Sequence, residues 1–261
     1  DEELERFWCA PCDTPVLRRG AIIPTEPAIA LCEELPEKTD FPPASEASRA
    51  NGRCIAELLA AMAATLREAE DELGRIDARA GDGDHGQGMT RGSAAAAEAA
   101  AKAVAAGAGA ASVLAVAGDA WGDRAGGTSG ALWGLALRTW SGCFSDQAPV
   151  TATTVAEGAI AALEAIVRLG RAQPGDKTLV DALDPFARSL RDEVSRGQEL
   201  TAAWQAAAQA ATVAAEATAQ LTPKLGRARS HTQRSLGHPD AGAVSLAMIA
   251  RLVGDLLRQR G

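Results

Sequence analysis

Residues 77–88 hold the densest group of side chains able to do chemistry: Asp77, Asp82 and Asp84, then His85, with Gln87 and Gly81, Gly83, Gly86 and Gly88 set among them. Carboxylates that converge without cations repel and raise one another's pKa. A divalent metal removes that cost, and magnesium commonly pairs a few carboxylates with the phosphates of a substrate. The glycines let the backbone turn sharply and come close to a ligand. The spacing is not that of an EF-hand, which runs on to a terminal glutamate. A solvated turn rich in Asp and Gly accounts for the same residues without any ligand. His85 is open to three roles: metal ligand, acid–base group or nucleotide contact. Zinc is poorly supported, because no cysteine lies close by.

Three further joins bear on the choice. GDRAGGTSGALWG (residues 122–134) puts Thr128 and Ser129 where a helix opens. Free backbone N–H groups at such an end suit a phosphate, and an ordinary Thr or Ser cap is the plainer alternative. PGDKTLVDALDP (174–185) places Lys177 after a turn, where a solvated first-turn lysine is expected rather than a phosphate ligand; the P-loop pattern is absent. GRARSHTQRSLGHPDAG (226–242) is basic in an acidic protein, with Arg227, Arg229, Arg234, His231 and His238. It reads as a solvated loop or as a cationic partner for phosphate near an acidic metal site. No hydrolase serine motif is present.

These joins need helices to carry them. From residue 51 apolar positions return near the helical period: Ile55, Leu58, Leu59, Met62, Leu66, Leu73 and Ile76. Asn51 is the expected cap of this first helix, which should end near Gly74. A second helix is expected over 87–106, a short apolar segment over 109–118, and helices over 128–140 and 151–169. A sixth starts near Thr178 and should be kinked or interrupted by Pro185. A seventh covers 198–221, stopped by Pro223, and an eighth begins near Ala241. No convincing strand alternation appears in 51–261. The reading is a body of about eight helices with glycine-rich joins.

Composition agrees. Of the 261 residues 47% are hydrophobic, many of them alanine, and only 3% are aromatic, which suits close-packed helices. The formal charge of -8 argues against nucleic acid or an anionic membrane as partner, but not against a phosphate ligand. No run of 18 apolar residues and no signal peptide is found. Five scattered cysteines favour a reducing cytoplasm over a disulfide scaffold. Cys9 and Cys12 form a lone CxxC, read as a chance pair in a terminal arm. Residues 1–50 hold most of the prolines, and DFPPASEAS reads as a linker.

The set GDGDHG, GGTSGALWG, PGDKTLVDALDPF and GRARS…SLGHPDAGAVS resembles the nucleotide-binding domain of dihydroxyacetone kinases, in order and in spacing, over about residues 51–261. The resemblance implies an all-α fold, an eight-helix antiparallel barrel with the nucleotide, ATP or ADP, at one end. It implies that Asp77, Asp82 and Asp84 hold two Mg²⁺ ions through the phosphates. His85, Gly86, Gln87 and Gly88 match the nucleotide-contact turn, and Thr128 and Ser129 the small residues over the phosphates. Gly170 and Leu179 match residues lining an adenine pocket, and Arg227, Asp240 and Gly242 the remaining nucleotide contacts.

The family has two modes: ATP-using kinases fused to a ketone-binding domain, and separate subunits that keep ADP bound and take phosphate from the sugar phosphotransferase system. LERFWCAPCDTPVLRRGAI resembles the end of the ketone-binding domain and favours the first mode. The chain is then expected to be the ATP half of a larger kinase of short-chain ketoses. Residues 1–50 would be the end of that other domain plus linker. The ketone-binding partner domain, with its substrate-anchoring histidine, would lie outside the chain, and the parent protein would be a homodimer. A noncatalytic nucleotide-sensing module is a third possibility. Two departures stand out. Asp240-Ala241-Gly242 replaces a frequent DPG, with nucleotide binding expected to survive. Residues 230–234 (SHTQR) replace a tyrosine- and leucine-containing stretch, with an expected effect on substrate access.

Overall fold

The computed structural model describes residues 12–13, 18–19, 41–225, 229 and 232–260. The chain divides into two compact units, Asp1–Thr39 and Asp40–Gly261. In the first, β1 (Cys12–Asp13) and β2 (Arg18–Arg19) pair antiparallel, Cys12 opposite Arg19. Cys9, and so the CxxC as a pair, lies outside the described residues.

The second unit is helical: α1 (Glu46–Glu68), α2 (Glu70–Asp77), α3 (His85–Ala105), α4 (Ala110–Ala125), α5 (Gly127–Ser141), α6 (Ala152–Gly170), α7 (Val180–Ser195), α8 (Leu200–Ala217), a short α9 (Thr232–Ser235) and α10 (Ala241–Arg260). The eight long helices form an up-and-down ring. Each of α3 to α8 packs against the next, α1 packs on α3, and α10 packs on both α8 and α1 to close it. The joins after α3, α4 and α7 are only one to four residues long, which forces those neighbours to run antiparallel.

Several local details depart from the sequence expectations. The first helix starts at Glu46, not at Asn51: Ser45 caps it, its side chain accepting the Ser48 N–H at 3.1 Å. Asn51 lies inside α1, and its side-chain oxygen accepts the Val150 N–H at 2.9 Å, tying α1 to the loop before α6. The linker reading of DFPPASEAS therefore stops at its last four residues, which belong to the cap and first turn. The helix does not end at Gly74. It bends at Ala69 (φ -90°, ψ 3°) and resumes as α2 to Asp77. The short segment at 109–118 is the first half of the 16-residue α4. Pro185 interrupts nothing. It removes one bond to the Asp181 carbonyl, but the buried face of Leu183, Phe186, Ala187 and Leu190 holds α7 continuous.

Alanine and glycine allow this packing. A Cβ on Gly134 would lie 2.8 Å from the Gly122 Cα, so α4 and α5 meet backbone to backbone. Larger side chains fill the wider gaps. Trp121 stacks on Trp133 with centroids 5.2 Å apart, and Trp204 takes the edge of Phe186 at 5.0 Å. Leu66, Leu73, Leu190 and Ile166 are almost fully buried, each such side chain worth about 1.5–3 kcal/mol of transfer free energy. The ring encloses an apolar cavity of ≈ 330 Å³, lined by Leu58, Met62, Leu137, Trp140 and Ile249 among others. Among the described residues no helix is long and apolar enough to cross a membrane.

Candidate functional site

A second cavity, of ≈ 340 Å³, opens at one end of the ring, where polar groups gather. Five chain segments meet there: the end of α2 with the turn into α3, the α4–α5 join, the turn before α7, Leu225, and residues 235–241 leading into α10.

The turn after α2 is built around Asp77. Its main-chain oxygen accepts the Gly81 N–H at 2.6 Å, and its Oδ2 accepts the Gly83 N–H at 2.9 Å. Gly83 sits at φ 80°, a left-handed conformation that suits glycine. A Cβ on Gly81 would lie 2.5 Å from Asp77 Oδ1. This wrapping turns Asp82 and Asp84 back toward Asp77, and one carboxylate oxygen from each of the three comes within 4.8 Å of the other two. Asp82 and Asp84 are exposed and Asp77 is half-buried. Three carboxylate oxygens gathered this closely are donors of the hard type that magnesium takes. The set fits magnesium and, with no sulfur or free imidazole, does not favour zinc.

His85 opens α3 beneath this turn. Its Nε2 lies 3.0 Å from Ser245 Oγ, and that hydroxyl lies 3.1 Å from the Gly242 carbonyl, so the three groups form one hydrogen-bonded chain. Burial pushes its pKa down. The Asp77 charge and a backbone hydrogen bond at Ala241 oppose that shift. The imidazole braces α3 against the start of α10 while one edge lines the cleft.

Across the cleft, Gly126 (φ 71°, ψ 168°) and Gly127 (φ 62°) reverse the chain into α5. The first of these is a region open essentially to glycine alone. Gly126 has no side chain to cap α5, and its carbonyl accepts the first helical bond, from the Gly130 N–H at 3.2 Å. The N–H groups of the first turn have no intrahelical acceptor, a ready site for an anion. Thr128 and Ser129 stand in that turn, on the cleft.

Asp240 accepts the Ala243 N–H on Oδ2 at 2.8 Å and so caps α10, while its own N–H donates to Thr218 Oγ1 at 2.8 Å. Burial raises its carboxyl to about 6; the Ala243 bond and the Lys177 charge pull down, and Asp181 and Asp77 push up. Ala241 occupies the first helical position, where a proline would also fit; the cap survives without one.

The structure brings Asp77, Asp82, Asp84, His85, Gly88, Thr128, Ser129 and Asp240 to one cleft. Gly86 and Gln87 are not on its wall. Gly86 backs onto α2, where a Cβ would collide with the Glu70 carbonyl oxygen, and Gln87 is exposed. Leu179 lines the apolar cavity, with Gly242 against it. Gly170 ends α6, its nearest neighbour Leu132 at 3.8 Å from a Cβ built there. Arg227 and His231 lie outside the described residues.

Two cations on the cleft wall were not foreseen in their roles. Lys177 is not a solvated lysine. It is 4% exposed, at φ 61°, and its ammonium donates to the Leu221 carbonyl at 3.1 Å and the Ser235 carbonyl at 2.6 Å. Arg91 reaches the Ala125 carbonyl at 3.4 Å. Its signal was its place three residues after Gly88, on the same face of α3.

An eight-helix ring with three carboxylates and an open helix N-terminus on one rim cleft defines the class: an all-α domain. Residues 79–255 match the family model of the DAK2 domain. The chain belongs to the dihydroxyacetone kinase family. It is 50% identical over 257 residues to an L-erythrulose kinase of Pectobacterium atrosepticum, covering 98% of this chain and 43% of the relative. It is 48% identical over 260 residues to a D-erythrulose kinase of Mycolicibacterium smegmatis, covering 98% and 45%. The chain therefore spans less than half the length of these relatives. The fold matches the crystal structure of the dihydroxyacetone kinase of C. freundii in complex with AMP-PNP and Mg2+, with TM-score 0.60 and 24% identity over 90% of this chain and 38% of that one.

Proposed function

We propose that residues 51–261 are the ATP-binding domain of a kinase that transfers the γ-phosphoryl group of ATP to a hydroxyl of a short-chain ketose. The similarity to two erythrulose kinases favours a four-carbon keto sugar beside dihydroxyacetone. The reading rests above all on one observation: the three-aspartate turn and the uncapped start of α5 face the same cleft. A ketone-binding domain outside this chain would supply the substrate site, consistent with the share of the relatives that the chain leaves unmatched.

Asp77, Asp82 and Asp84 would hold two Mg²⁺ ions, whose charge would neutralise the phosphates of the nucleotide. The chain's own residues do the rest. Asp77 keeps its turn closed through Gly81 and Gly83, so the carboxylates are gathered before a ligand enters. The first-turn amides of α5 and the hydroxyls of Thr128 and Ser129 would bind phosphate oxygens. Arg91, anchored on Ala125, would add a guanidinium to the same wall. The domain positions charge, and the work of catalysis is placement and electrostatics.

Calorimetry with ATP, with and without Mg²⁺, tests this on the chain. Metal-dependent binding that Asp82→Asn weakens is expected, and metal-independent or unchanged binding would refute it. ADP carried through purification and not exchanged by ATP would indicate the phosphotransferase mode. Adding the ketone-binding domain and erythrulose should then yield phosphosugar; binding without turnover of any short ketose would indicate a nucleotide sensor.

A further inference from the structure

Lys177 has no part in the aspartate turn or in the start of α5, yet it is the most deeply buried cation of the cleft. A buried ammonium is costly to desolvate, and burial does push its pKa down, opposed by the Asp240 charge. It is retained here in a left-handed backbone position that few non-glycine residues adopt. The turn that carries it is tied down separately. Asp181 accepts the Gly175 N–H at 2.5 Å and the Thr178 N–H at 2.7 Å, and Asp176 meets Lys224 at 3.3 Å.

Its partners explain the placement. Leu221 follows α8 and Ser235 closes α9, so one side chain joins two carbonyls that lie 14 positions apart. From Ser235 the chain runs directly into the cleft wall of His238, Pro239, Asp240 and Ala241. Three other bonds fix the foot of this wall: Gly237 N–H to Ala219 O at 2.9 Å, Asp240 N–H to Thr218 Oγ1 at 2.8 Å, and Ser235 Oγ to Thr232 O at 3.0 Å. Only the Lys177 bonds link the wall to the turn before α7 among the hydrogen bonds of these described residues.

We propose that Lys177 is a positioning residue for the nucleotide: its ammonium clasps Leu221 and Ser235 so that the 235–241 wall, with Asp240 and the start of α10, stands at a fixed distance from the aspartate turn. Two of its three N–H groups hold carbonyls, and its positive charge offsets the Asp240 carboxylate in the same wall. Lysine suits the task better than arginine, since its compact ammonium fits between the two carbonyls where the larger planar guanidinium would have to push them apart. The inference rests on the nucleotide reading of the cleft.

The test uses Lys177→Met and Lys177→Arg in this chain and in the full-length kinase, with Mg·AMP-PNP as the binding probe and ATP and erythrulose as substrates. Wild type must bind the probe first; failure there refutes the nucleotide reading, not the clasp. With that established, Lys177→Met is expected to weaken Mg·AMP-PNP by about 10-fold or more and to raise KM for ATP alike. KM for the keto sugar should stay within twofold. Amide exchange should accelerate in 235–241 and not in the aspartate turn. Pairing it with Asp240→Asn should give a combined loss smaller than the product of the two. Affinity within twofold of wild type, or equal rises in both KM values, would overturn the proposal. If Lys177→Met does not fold, Lys177→Arg is read by the same split: a raised KM for ATP alone supports the clasp, and an unchanged one refutes it.

Discussion

Asp146 caps α4 across 34 positions of sequence: its Oδ2 accepts the Ser112 hydroxyl at 2.5 Å and its Oδ1 the Ser112 N–H at 3.1 Å. Gly109, the residue in the cap position, has no side chain to do this. Ser48 completes the arrangement, accepting the Ala110 N–H at 2.9 Å and donating to the Ser145 carbonyl at 2.9 Å. The start of α4 is thus satisfied by α1 and by the loop after α5. Its other end, Ala125, lies at the cleft. Asp146→Ala should lower stability by about 1–2 kcal/mol, the cost of losing the cap of α4 at half-buried donors. Urea unfolding checks it, and an unchanged midpoint would show that other groups satisfy this end.

Asp82→Asn should separate stability from binding. Removing one of three converging carboxylates relieves repulsion, so the metal-free protein should melt at the same temperature or slightly higher. Mg·ATP affinity should fall by about 10- to 100-fold, since a hard cation loses a charged ligand. Melting curves with and without Mg·ATP give both numbers. A variant less stable without ligand would mean that Asp82 serves the fold.

Gly126→Ala tests the α5 opening. Its backbone lies in a region nearly closed to side chains, at a cost of about 1–3 kcal/mol. Relief of that strain would rotate the first-turn amides away from the cleft. The expected result is weaker Mg·AMP-PNP binding with helix content unchanged by circular dichroism. Unaltered binding would show that these amides do not hold the phosphates.

Asp240 carries a pH signature. Its folded pKa of about 6 lies above its ordinary 3.8, so the folded state binds the proton more tightly. That contribution is present in full below about pH 4 and is lost as pH rises through 6. It amounts to about 2–3 kcal/mol. Asp240→Asn keeps an acceptor for the Ala243 N–H, so it should flatten the pH dependence between 4 and 7 and gain stability relative to wild type toward neutrality. Denaturation midpoints of both proteins at several pH values decide it; parallel curves would place the titration elsewhere.

Much of this architecture was legible from residue order. The eight long helices follow from helical patterning, and GDGDHG marks a sharp turn rich in carboxylates; residue order alone left it open between a ligand site and a solvated turn. What escaped depends on residues far apart in the chain. Ser45 rather than Asn51 caps α1, because the Asn51 side chain is drawn to Val150 across the ring. Pro185 is harmless because α7 is held by its buried face. A lysine after a turn reads as solvated, and only the fold shows that Leu221 and Ser235 close over Lys177. Leu179, two residues further on, lines the apolar cavity, a placement set by the fold rather than by its motif.

The close approach of α4 and α5 bears on how the protein moves. At Gly118, Gly122 and Gly134 there is no layer of side chains on which these two rods can slide. Ala125 and the α5 amides must then travel as one rigid body, and the spacing between them is insensitive to whether the cleft is filled. Any tightening around a guest would have to come from the other segments that line the cleft, with this pair as the fixed anvil.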